Sequence, residues 1–319
     1  MTPPRVSVVI RCLNEERHIG RLLTGIARQT VQPLEVVVVD SGSTDATLSI
    51  AQRFARVRVI HISKERFSFG RSLNLGCDAA EGDVVVIASA HVYPLYDTWI
   101  ELLTAPFAEP AAALTYGRQV GDERTRFSER QVLDRWFPED SQSVQDHPFC
   151  NNANAAIRRS IWVELPYDEE LTGLEDLDWA KRAAGLGHRL AYVAQAPVAH
   201  VHEETWPQVV NRYRREAIAH KRIYPEQRLT APEAISLAVA SMAFDLRQAA
   251  REGSAHRHLT GIAAFRSAQY LGTFRGFRQQ GPVPAALKRR FYYPSAPSSV
   301  AAAPPAGSPI DYSTPERSQ

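Results

Sequence analysis

Short apolar segments and amphipathic segments alternate along the amino-terminal part of the chain. The apolar segments are rich in β-branched residues, and they are Val6 to Ile10, Val36 to Val39, Val57 to Ile60 and Val84 to Ala88. Continuous apolar runs of this length predict strands that are buried on both faces, as in a parallel sheet.

Helical patterns lie between these segments. Glu15 to Ala27 places its large aliphatic side chains on one helical face, and Asp45 to Phe54 follows a Thr-Asp pair that is typical of a helix start. Strands that alternate with helices predict right-handed βαβ units. The predicted fold class is therefore α/β, with an open, mostly parallel sheet flanked by helices.

The remainder of the chain changes in composition at several points. Residues from about 116 to 205 are less regular, although Asp176 to Ala184 has a helical pattern that ends at a Gly-Leu-Gly segment. A helical pattern returns from Gln208 to about Arg251, and the segment from Pro294 onward is rich in Pro, Ala and Ser, which predicts disorder. We therefore expect a core over residues 1–205 with a subdivision near residue 115, a basic helical extension over 206–293 and a disordered tail over 294–319.

Composition narrows the class of protein without naming a partner. The 319 residues are 44% hydrophobic and 23% charged, with a net charge of +2, as in an ordinary globular protein. The three cysteines are far apart and form no Cys-x-x-Cys motif, which favours a reducing compartment. Met1 to Arg11 has no apolar core of a secretory signal, and no uncharged run is long enough to span a membrane. These features predict a cytoplasmic protein, and they leave open a peripheral position at the inner face of the membrane.

The segment VVVVDSGSTD, from Val36 to Asp45, ends a buried strand in a carboxylate. In open α/β sheets, ligands bind beyond the carboxyl ends of the strands, so Asp40 is placed to accept hydrogen bonds from a base or a ribose. A turn residue is the alternative for Asp40, and a helix N-cap is the favoured interpretation of Asp45.

Five segments occur in an order that resembles one known family. They are VSVVIRCLNEERHIGRLLTGIARQT, LEVVVVDSGSTDAT, FGRSLNLGCDAAEGDVVVIASAHVYP, NNANAAIRRSIW and GLEDLDWAKRAAGLGH, and they lie between about residues 5 and 202. Together they resemble the family 2 glycosyltransferases, which have the A-type glycosyltransferase fold. FSFGRSLNLG followed by SAHVYP is similar to bacterial rhamnosyltransferase-like members. The resemblance implies a nucleotide-binding part over about 1–115 and an acceptor-binding part over about 116–205. It assigns the nucleotide of an activated sugar to Arg11, Asn14, Glu15 and Asp40.

The chain departs from this family where two metal-binding acids, Asp-x-Asp, are expected. Ser89-Ala90-His91 stands there instead, and the resemblance places Ser89 at the ribose and His91 at the metal or directly at the diphosphate. His200 and His202 lie on one face of an extended segment and are further candidate metal ligands, with ordinary loop histidines as the alternative. The implied cofactor is a divalent cation, Mn²⁺ or Mg²⁺, although imidazole suits Zn²⁺ better than Mn²⁺. Arg71 is a further candidate cation near the diphosphate, or a solvated loop residue.

The segment GLEDLDW supplies the candidate catalytic acids. The resemblance implies that Asp176 is the general base for the acceptor hydroxyl and that Glu175 orients the acceptor or the base. Asp178 is expected to pair with Lys181 or Arg182 at helical spacing. A capped helix with acids in its first turn is the alternative for the whole segment. We expect Asp40, His91 and Asp176 to converge on one cleft.

Amide and aromatic side chains around this segment are candidates for acceptor binding. Asn151, Asn152 and Asn154 could bind sugar hydroxyls. Trp162 and Trp179 could stack on a sugar ring, although core packing is the favoured alternative for each tryptophan.

The carboxyl-terminal extension is basic. Eight Lys or Arg side chains lie between Arg251 and Arg290 against the single acid Glu252, with aromatic residues among them. This pattern is typical of an element that contacts a membrane surface, and a solvated basic face is the alternative. No nucleic-acid recognition motif is present, so we predict no nucleic-acid partner.

The sequence therefore predicts an inverting glycosyltransferase that moves a sugar from a nucleoside-diphosphate sugar, for which dTDP-rhamnose is one candidate, to a glycan or lipid-linked acceptor. The missing Asp-x-Asp favours a catalytically silent sugar-nucleotide or glycan-binding protein as the alternative. A sugar-phosphate nucleotidyltransferase is disfavoured, because RCLNEERHIG is not a Gly-rich phosphate loop.

Overall fold

The computed structural model describes residues 4–284, 287, 291 and 292. Its centre is an eight-stranded sheet with the order β3-β2-β1-β4-β7-β6-β8-β5. The strands are β1 (Val6–Cys12), β2 (Glu35–Asp40), β3 (Val57–His61), β4 (Val84–Ser89), β5 (Val92–Pro94), β6 (Ala112–Val120), β7 (Asn154–Arg158) and β8 (Arg189–His200).

Ten α-helices and one short 3₁₀ helix over Ala105–Ala108 accompany the sheet in the described residues. The α-helices are α1 (Ile19–Ala27), α2 (Thr47–Ala51), α3 (Phe69–Ala79), α4 (Trp99–Thr104), α5 (Phe127–Trp136), α6 (Arg159–Glu164), α7 (Glu175–Gly185), α8 (Trp206–Ile223), α9 (Ala231–Arg251) and α10 (Ala255–Phe277).

The four strands predicted from apolar runs are present and pair in parallel as β3-β2-β1-β4. Successive side chains of a strand point to opposite faces, and both faces of this sheet are covered. Val9, Val37 and Ile87 fill the core on one face, while Val8 and Val38 fill the core on the other. Burial on both faces is the reason that these strands are apolar without alternation.

The second half of the sheet is mixed. β7 lies antiparallel between β4 and β6, and the edge strand β5 is antiparallel to β8. β6 and β8 are parallel, with register shifts at 112/114 and 117/119. The prediction of a mostly parallel sheet is confirmed, and the antiparallel pairs lie in the part that the sequence pattern described least well.

Helix boundaries differ from the predicted ones at the edge of the sheet. The first helix begins at Ile19 rather than Glu15, and the residues before it form a turn in which the N–H groups of Glu15 and Glu16 donate to the side chains of Thr47 and Asp45. α2 is shorter than predicted, and Asp45 accepts a hydrogen bond from the backbone N–H of Thr47 at its start. α7 ends as predicted, with Gly187 in a left-handed conformation (φ 87°).

The helical pattern from Gln208 to Arg251 forms two helices, because α8 ends before Pro225 and Thr230 caps α9. α10 packs closely on α8, since a Cβ at Gly272 would lie 2.4 Å from the carbonyl oxygen of Val210. A buried ion pair between Arg266 and Asp245, at 2.7 Å, joins α10 to α9. The predicted tail over 294–319 lies outside the described residues. None of the helices described here has an apolar stretch long enough to cross a bilayer.

Replacement of Gly76 in α3 by alanine should destabilise the fold. A Cβ at this position would lie 2.4 Å from Cγ1 of Val9 in β1, so α3 must move away from the sheet. We expect a loss of about 1–3 kcal/mol in the free energy of unfolding, measured by urea denaturation. Gly261→Ala in α10 is the matched control, because nothing lies within 4 Å of its added Cβ. This control should gain about 0.5–1 kcal/mol from helix propensity. Equal stabilities of the two variants would contradict the close packing of α3.

Candidate functional site

A cleft of about 900 Å³ opens at the carboxyl ends of β1 and β4. Its other walls come from the start of α7, the end of β8 and the inner face of α8. The polar side chains that line it include Arg11, Asn14, Glu15, Ser89, His91, Asn151, Asn152, Glu175, Asp176, His200, His202, Arg212 and Arg215. His91 and Asp176, which are remote along the chain, therefore share one cleft as predicted.

Two adjacent carboxylates, Glu175 and Asp176, occupy the first turn of α7 and are buried. Asp176 accepts hydrogen bonds from the backbone N–H groups of Asn152, at 2.9 Å, and Leu177, at 2.8 Å. Burial, and then the neighbouring charge of Glu175, raise the pKa of Asp176 to about 7. A carboxyl group with this pKa accepts a proton near neutral pH, so the arrangement suits a general base.

Glu175 is held by a cation from the centre of the sheet. Nη1 of Arg11 lies 3.0 Å from Oε1 of Glu175, and its guanidinium lies 4.7 Å from the centre of the Phe69 ring. The residue before Glu175, Leu174, has a left-handed backbone with φ 54°, which is costly for a leucine. Leu174 and the left-handed Asn14 both line the cleft, so strained backbone is found on two of its sides.

Three histidines meet at the other end of the cleft. One ring nitrogen from each of His91, His200 and His202 lies within 4.8 Å of the others. The rings of His91 and His200 are stacked at 5.2 Å, and those of His200 and His202 are 4.1 Å apart. His202 follows His200 by two residues, so the predicted placement of both rings on one face of an extended segment agrees with this cluster.

Each of these histidines uses Nδ1 for a bond to an oxygen of the protein. The acceptors are Glu15 for His91 (2.9 Å), Gln119 for His200 (2.6 Å) and Glu129 for His202 (2.8 Å). A carboxylate or amide oxygen accepts, so Nδ1 carries the hydrogen and the lone pair of the neutral ring is at Nε2. Acceptors of this kind commonly orient histidines that bind a metal.

The histidine cluster fits a divalent metal ion. Nε2 of His200 is buried without a hydrogen-bond partner in the described part of the chain, and a metal is one group that would satisfy it. Burial and the neighbouring His202 and His91 keep the pKa of His200 well below its usual value, so this ring is neutral. Three imidazoles favour Zn²⁺ and similar transition metals over Mg²⁺, which prefers oxygen ligands.

Charge around the cluster is set by nearby acids. Burial alone would lower the pKa of His91, but the carboxylate of Glu15 outweighs burial and raises it. Burial would raise the pKa of Glu129, but the charges and hydrogen bonds of His202 and Arg212 lower it to about 2. Glu129 is therefore ionised at neutral pH and holds both partners in place.

Asp40 and Arg71 were predicted to bind the nucleotide, but neither is among the described residues that line the cleft. The carboxylate of Asp40 is 1% exposed and accepts hydrogen bonds from the N–H groups of Gly42 and Ser43, so it closes the turn after β2. Arg71 in α3 is paired with Glu169 at 2.6 Å. The contact of Asp40 and Arg71 with a nucleotide therefore stays a prediction, and in this structure both side chains bond to the protein itself.

Two predicted acceptor-binding residues belong to the core. The Asn154 amide is fully buried and bonds to Trp99 and to the carbonyl oxygens of Arg118 and Ala196. Trp179 is also fully buried, and its indole N–H donates to a backbone carbonyl. Both side chains are structural, which corrects these two assignments.

The asparagines near Asp176, unlike Asn154, line the cleft. Asn151 lines the cleft, and its side chain also accepts from the N–H of Ala153. Asn152 also lines the cleft, and both atoms of its side-chain amide are buried and unpartnered among the described residues. Asp178 pairs with Arg182 at 2.8 Å, so its predicted structural role is confirmed.

The model of the family described as "Glycosyl transferase family 2" matches residues 7–165. This chain belongs to glycosyl transferase family 2. It resembles the O-antigen chain rhamnosyltransferase RfbN of Salmonella typhimurium, with 27% identity over 68% of this chain and 72% of the relative. It also resembles the O-antigen chain rhamnosyltransferase WbaN of Salmonella anatum, with 29% identity over 60% of this chain and 64% of that relative. The family 2 chain is accordingly a glycosyltransferase.

Solved structures share the fold of this family 2 glycosyltransferase. The mannosyltransferase PcManGT from Pyrobaculum calidifontis, in complex with GDP-Man and Mn²⁺, matches with a TM-score of 0.59 and 20% identity. That match covers 93% of this chain and 89% of the other. S. aureus TarS 1–349 in complex with UDP-GlcNAc matches with a TM-score of 0.52 and 16% identity, over 83% and 90% of the two chains. The predicted A-type glycosyltransferase fold with a helical carboxyl-terminal region is confirmed.

Proposed function

We propose that this enzyme is an inverting glycosyltransferase that moves a sugar from a nucleoside-diphosphate sugar to a hydroxyl of a glycan or lipid-linked acceptor. The observation that carries the proposal is the buried carboxyl of Asp176, with a pKa of about 7, in the same cleft as three convergent histidines. A silent binding protein has no need of a carboxyl group buried next to a second acid, because this burial is costly.

In the proposed mechanism, Asp176 removes the proton from the acceptor hydroxyl as its oxygen attacks the anomeric carbon. The bond from that carbon to the diphosphate breaks on the opposite face, so the configuration inverts and the nucleoside diphosphate leaves with the electron pair. Hydrogen bonds from the N–H groups of Asn152 and Leu177 fix the direction of the base. Glu175, held by Arg11, keeps a negative charge beside Asp176 and thereby favours its protonated state after proton transfer.

We propose that His91, His200 and His202 hold a divalent cation. When bound, such an ion offsets the negative charge that develops on the leaving diphosphate. Glu15, Gln119 and Glu129 orient the three rings through Nδ1. Among the expected ions, the donor set supports Mn²⁺ over Mg²⁺.

The donor proposal rests on the cleft and on the named relatives. Asn14, Glu15 and Ser89 line the cleft near the end of the parallel strands, where a nucleotide would bind. Two relatives are named rhamnosyltransferases, which supports dTDP-rhamnose as the first donor to test. The two similar structures hold GDP-Man and UDP-GlcNAc, so the shared fold does not choose the nucleotide.

Asp176→Asn should reduce the rate of sugar transfer by about 10²- to 10⁴-fold, because the amide cannot accept the proton. The measurement is nucleoside-diphosphate release from dTDP-rhamnose and related donors with a glycan acceptor. Asp178→Asn is the matched control, since it changes an acid of the same helix that is paired with Arg182. This control should retain nearly full activity.

The pH profile provides a second check on the same base. Because the ionised form is active, kcat/KM should rise with pH and level off above about 7, the pKa of Asp176. A profile that is flat through neutral pH, or an Asp176→Asn variant with full activity, would exclude this residue as the base.

The purified chain should bind one transition-metal ion at the histidine cluster. After equilibrium dialysis, we expect retention of Zn²⁺ and Mn²⁺ and little retention of Mg²⁺, measured by elemental analysis, because the donors are imidazoles. His202→Ala should lose this metal, whereas His188→Ala, which lies outside the cluster, should keep it. Equal metal content in the two variants would contradict the assignment.

We also propose that the carboxyl-terminal helices contact a membrane surface, where a lipid-linked acceptor would be found. α9 exposes large apolar side chains, such as Ile235 (65%) and Phe244 (47%), and exposed basic residues, such as Arg257 and Arg275, lie on α10. Apolar and basic side chains together favour binding to an anionic bilayer.

The double replacement of Ile235 and Phe244 by glutamate should weaken binding to anionic liposomes by at least about tenfold, because two apolar anchors are lost. Co-sedimentation measures this change. Val163→Glu is the matched control, since Val163 is similarly exposed (59%) but lies on α6. A double variant that sediments like the unmodified chain would remove the membrane proposal.

A further inference from the structure

Four arginines line the described cleft, and one of them differs from the rest. Three are ion-paired: Arg11 with Glu175, Arg17 with Glu203, and Arg212 with Glu129 and Glu204. The guanidinium of Arg215 makes no ion pair or hydrogen bond with the described residues, and its Nε is buried and unpartnered. Burial lowers the pKa of Arg215, although arginine keeps its charge.

The position of this side chain places it beside the proposed chemistry. Arg215 projects from α8 so that its guanidinium lies 4.6 Å from the centre of the Phe69 ring. A Cβ added to Gly173 would lie 3.3 Å from Nε of Arg215, so the guanidinium borders the loop that leads into Glu175 and Asp176. The same phenylalanine ring also contacts Arg11, so both guanidinium groups pack against Phe69.

Arg215 is half-buried, and a charge that is partly removed from water without a partner is usually provided with a counter-ion or a ligand. Glu216, Glu175 and Glu204 act on Arg215 through longer-range attraction. This attraction helps to keep the cation in the cleft while its donors stay available. A guanidinium in this state matches the bidentate geometry of phosphate oxygens.

We propose that Arg215 forms a subsite for phosphate oxygens of the substrates. This inference rests on the proposed function, because the proposed donor and the lipid-linked form of the proposed acceptor both carry phosphate. The donor contributes a diphosphate, and a lipid-linked acceptor contributes the phosphate of its carrier. The carboxyl-terminal helix α8 thus supplies a cation to the cleft, in addition to the metal proposed at the histidines.

The test is isothermal titration of the full chain, loaded with Mn²⁺, with inorganic pyrophosphate, dTDP and farnesyl phosphate as separate probes. Arg215→Gln should weaken binding of at least one probe by about 10- to 100-fold, the effect of losing one charged hydrogen bond. Arg215→Lys should lose less, because it keeps the charge. Arg222→Gln is the matched control, since Arg222 lies on the same helix but pairs with Asp168 outside the cleft.

The probes that bind more weakly to Arg215→Gln identify the substrate whose phosphate the subsite holds. Weaker binding of pyrophosphate and dTDP assigns the subsite to the donor, and weaker binding of farnesyl phosphate alone assigns it to the acceptor. Unchanged affinity of Arg215→Gln for all three probes overturns the proposal, as does an unmodified chain that binds none of them.

Two further readouts separate this role from packing and from the proposed function. Removal of an unpaired buried charge should leave the melting temperature unchanged or raise it, whereas weaker binding that accompanies a clear loss of Tm indicates a packing role and overturns the subsite. Arg215-dependent pyrophosphate binding by a chain that transfers no sugar keeps the subsite and rejects the glycosyltransferase mechanism. Normal nucleotide binding and normal sugar transfer by Arg215→Gln reject the subsite and keep the glycosyltransferase mechanism.

Discussion

The cleft depends on how two neighbouring carboxylates are buried at the start of α7. Glu175 and Asp176 cannot both be ionised in a buried site at low cost unless a cation offsets one of them. Arg11, 164 residues earlier in the chain, pairs with Glu175, and Asp176 then carries the raised pKa. The ion pair joins the central strand β1 to α7, while burial and the charge of Glu175 raise the pKa of Asp176.

The three histidines of the cluster are likewise held by residues that are distant in the chain. His91 follows β4, His200 ends β8 and His202 lies just beyond it, while their acceptors come from other segments of the chain. Replacement of two acids by Ser89 and His91 removes negative charge from this end of the cleft. The imidazoles that Glu15 and Glu129 orient are donors that suit a metal ion, and they differ from carboxylates in the metals that they favour.

Much of the fold and part of the cleft could be predicted from sequence, for identifiable reasons. Strands buried on both faces leave a continuous apolar signal, so β1, β2, β3 and β4 were predicted within a residue or two. The convergence of His91 and Asp176 was also predicted, because both follow from the family's order of segments. Asn154 and Trp179 were assigned to the acceptor because amide and aromatic side chains suit sugars, but the same residue types also pack and form hydrogen bonds in the core. Only their neighbours decide between the two. The availability of Arg215 depends on the approach of α8, and no local pattern records it.

The family match ends at residue 165, yet the cleft takes its remaining walls from α7, β8 and α8. The acids of α7, two of the three histidines and the two arginines of α8 that line the cleft all lie beyond that point. A fragment cut at the family boundary would keep the parallel strands and lose the groups that define the chemistry. The segment beyond the family match therefore completes the cleft, so the family motifs alone do not determine which substrates fit inside it.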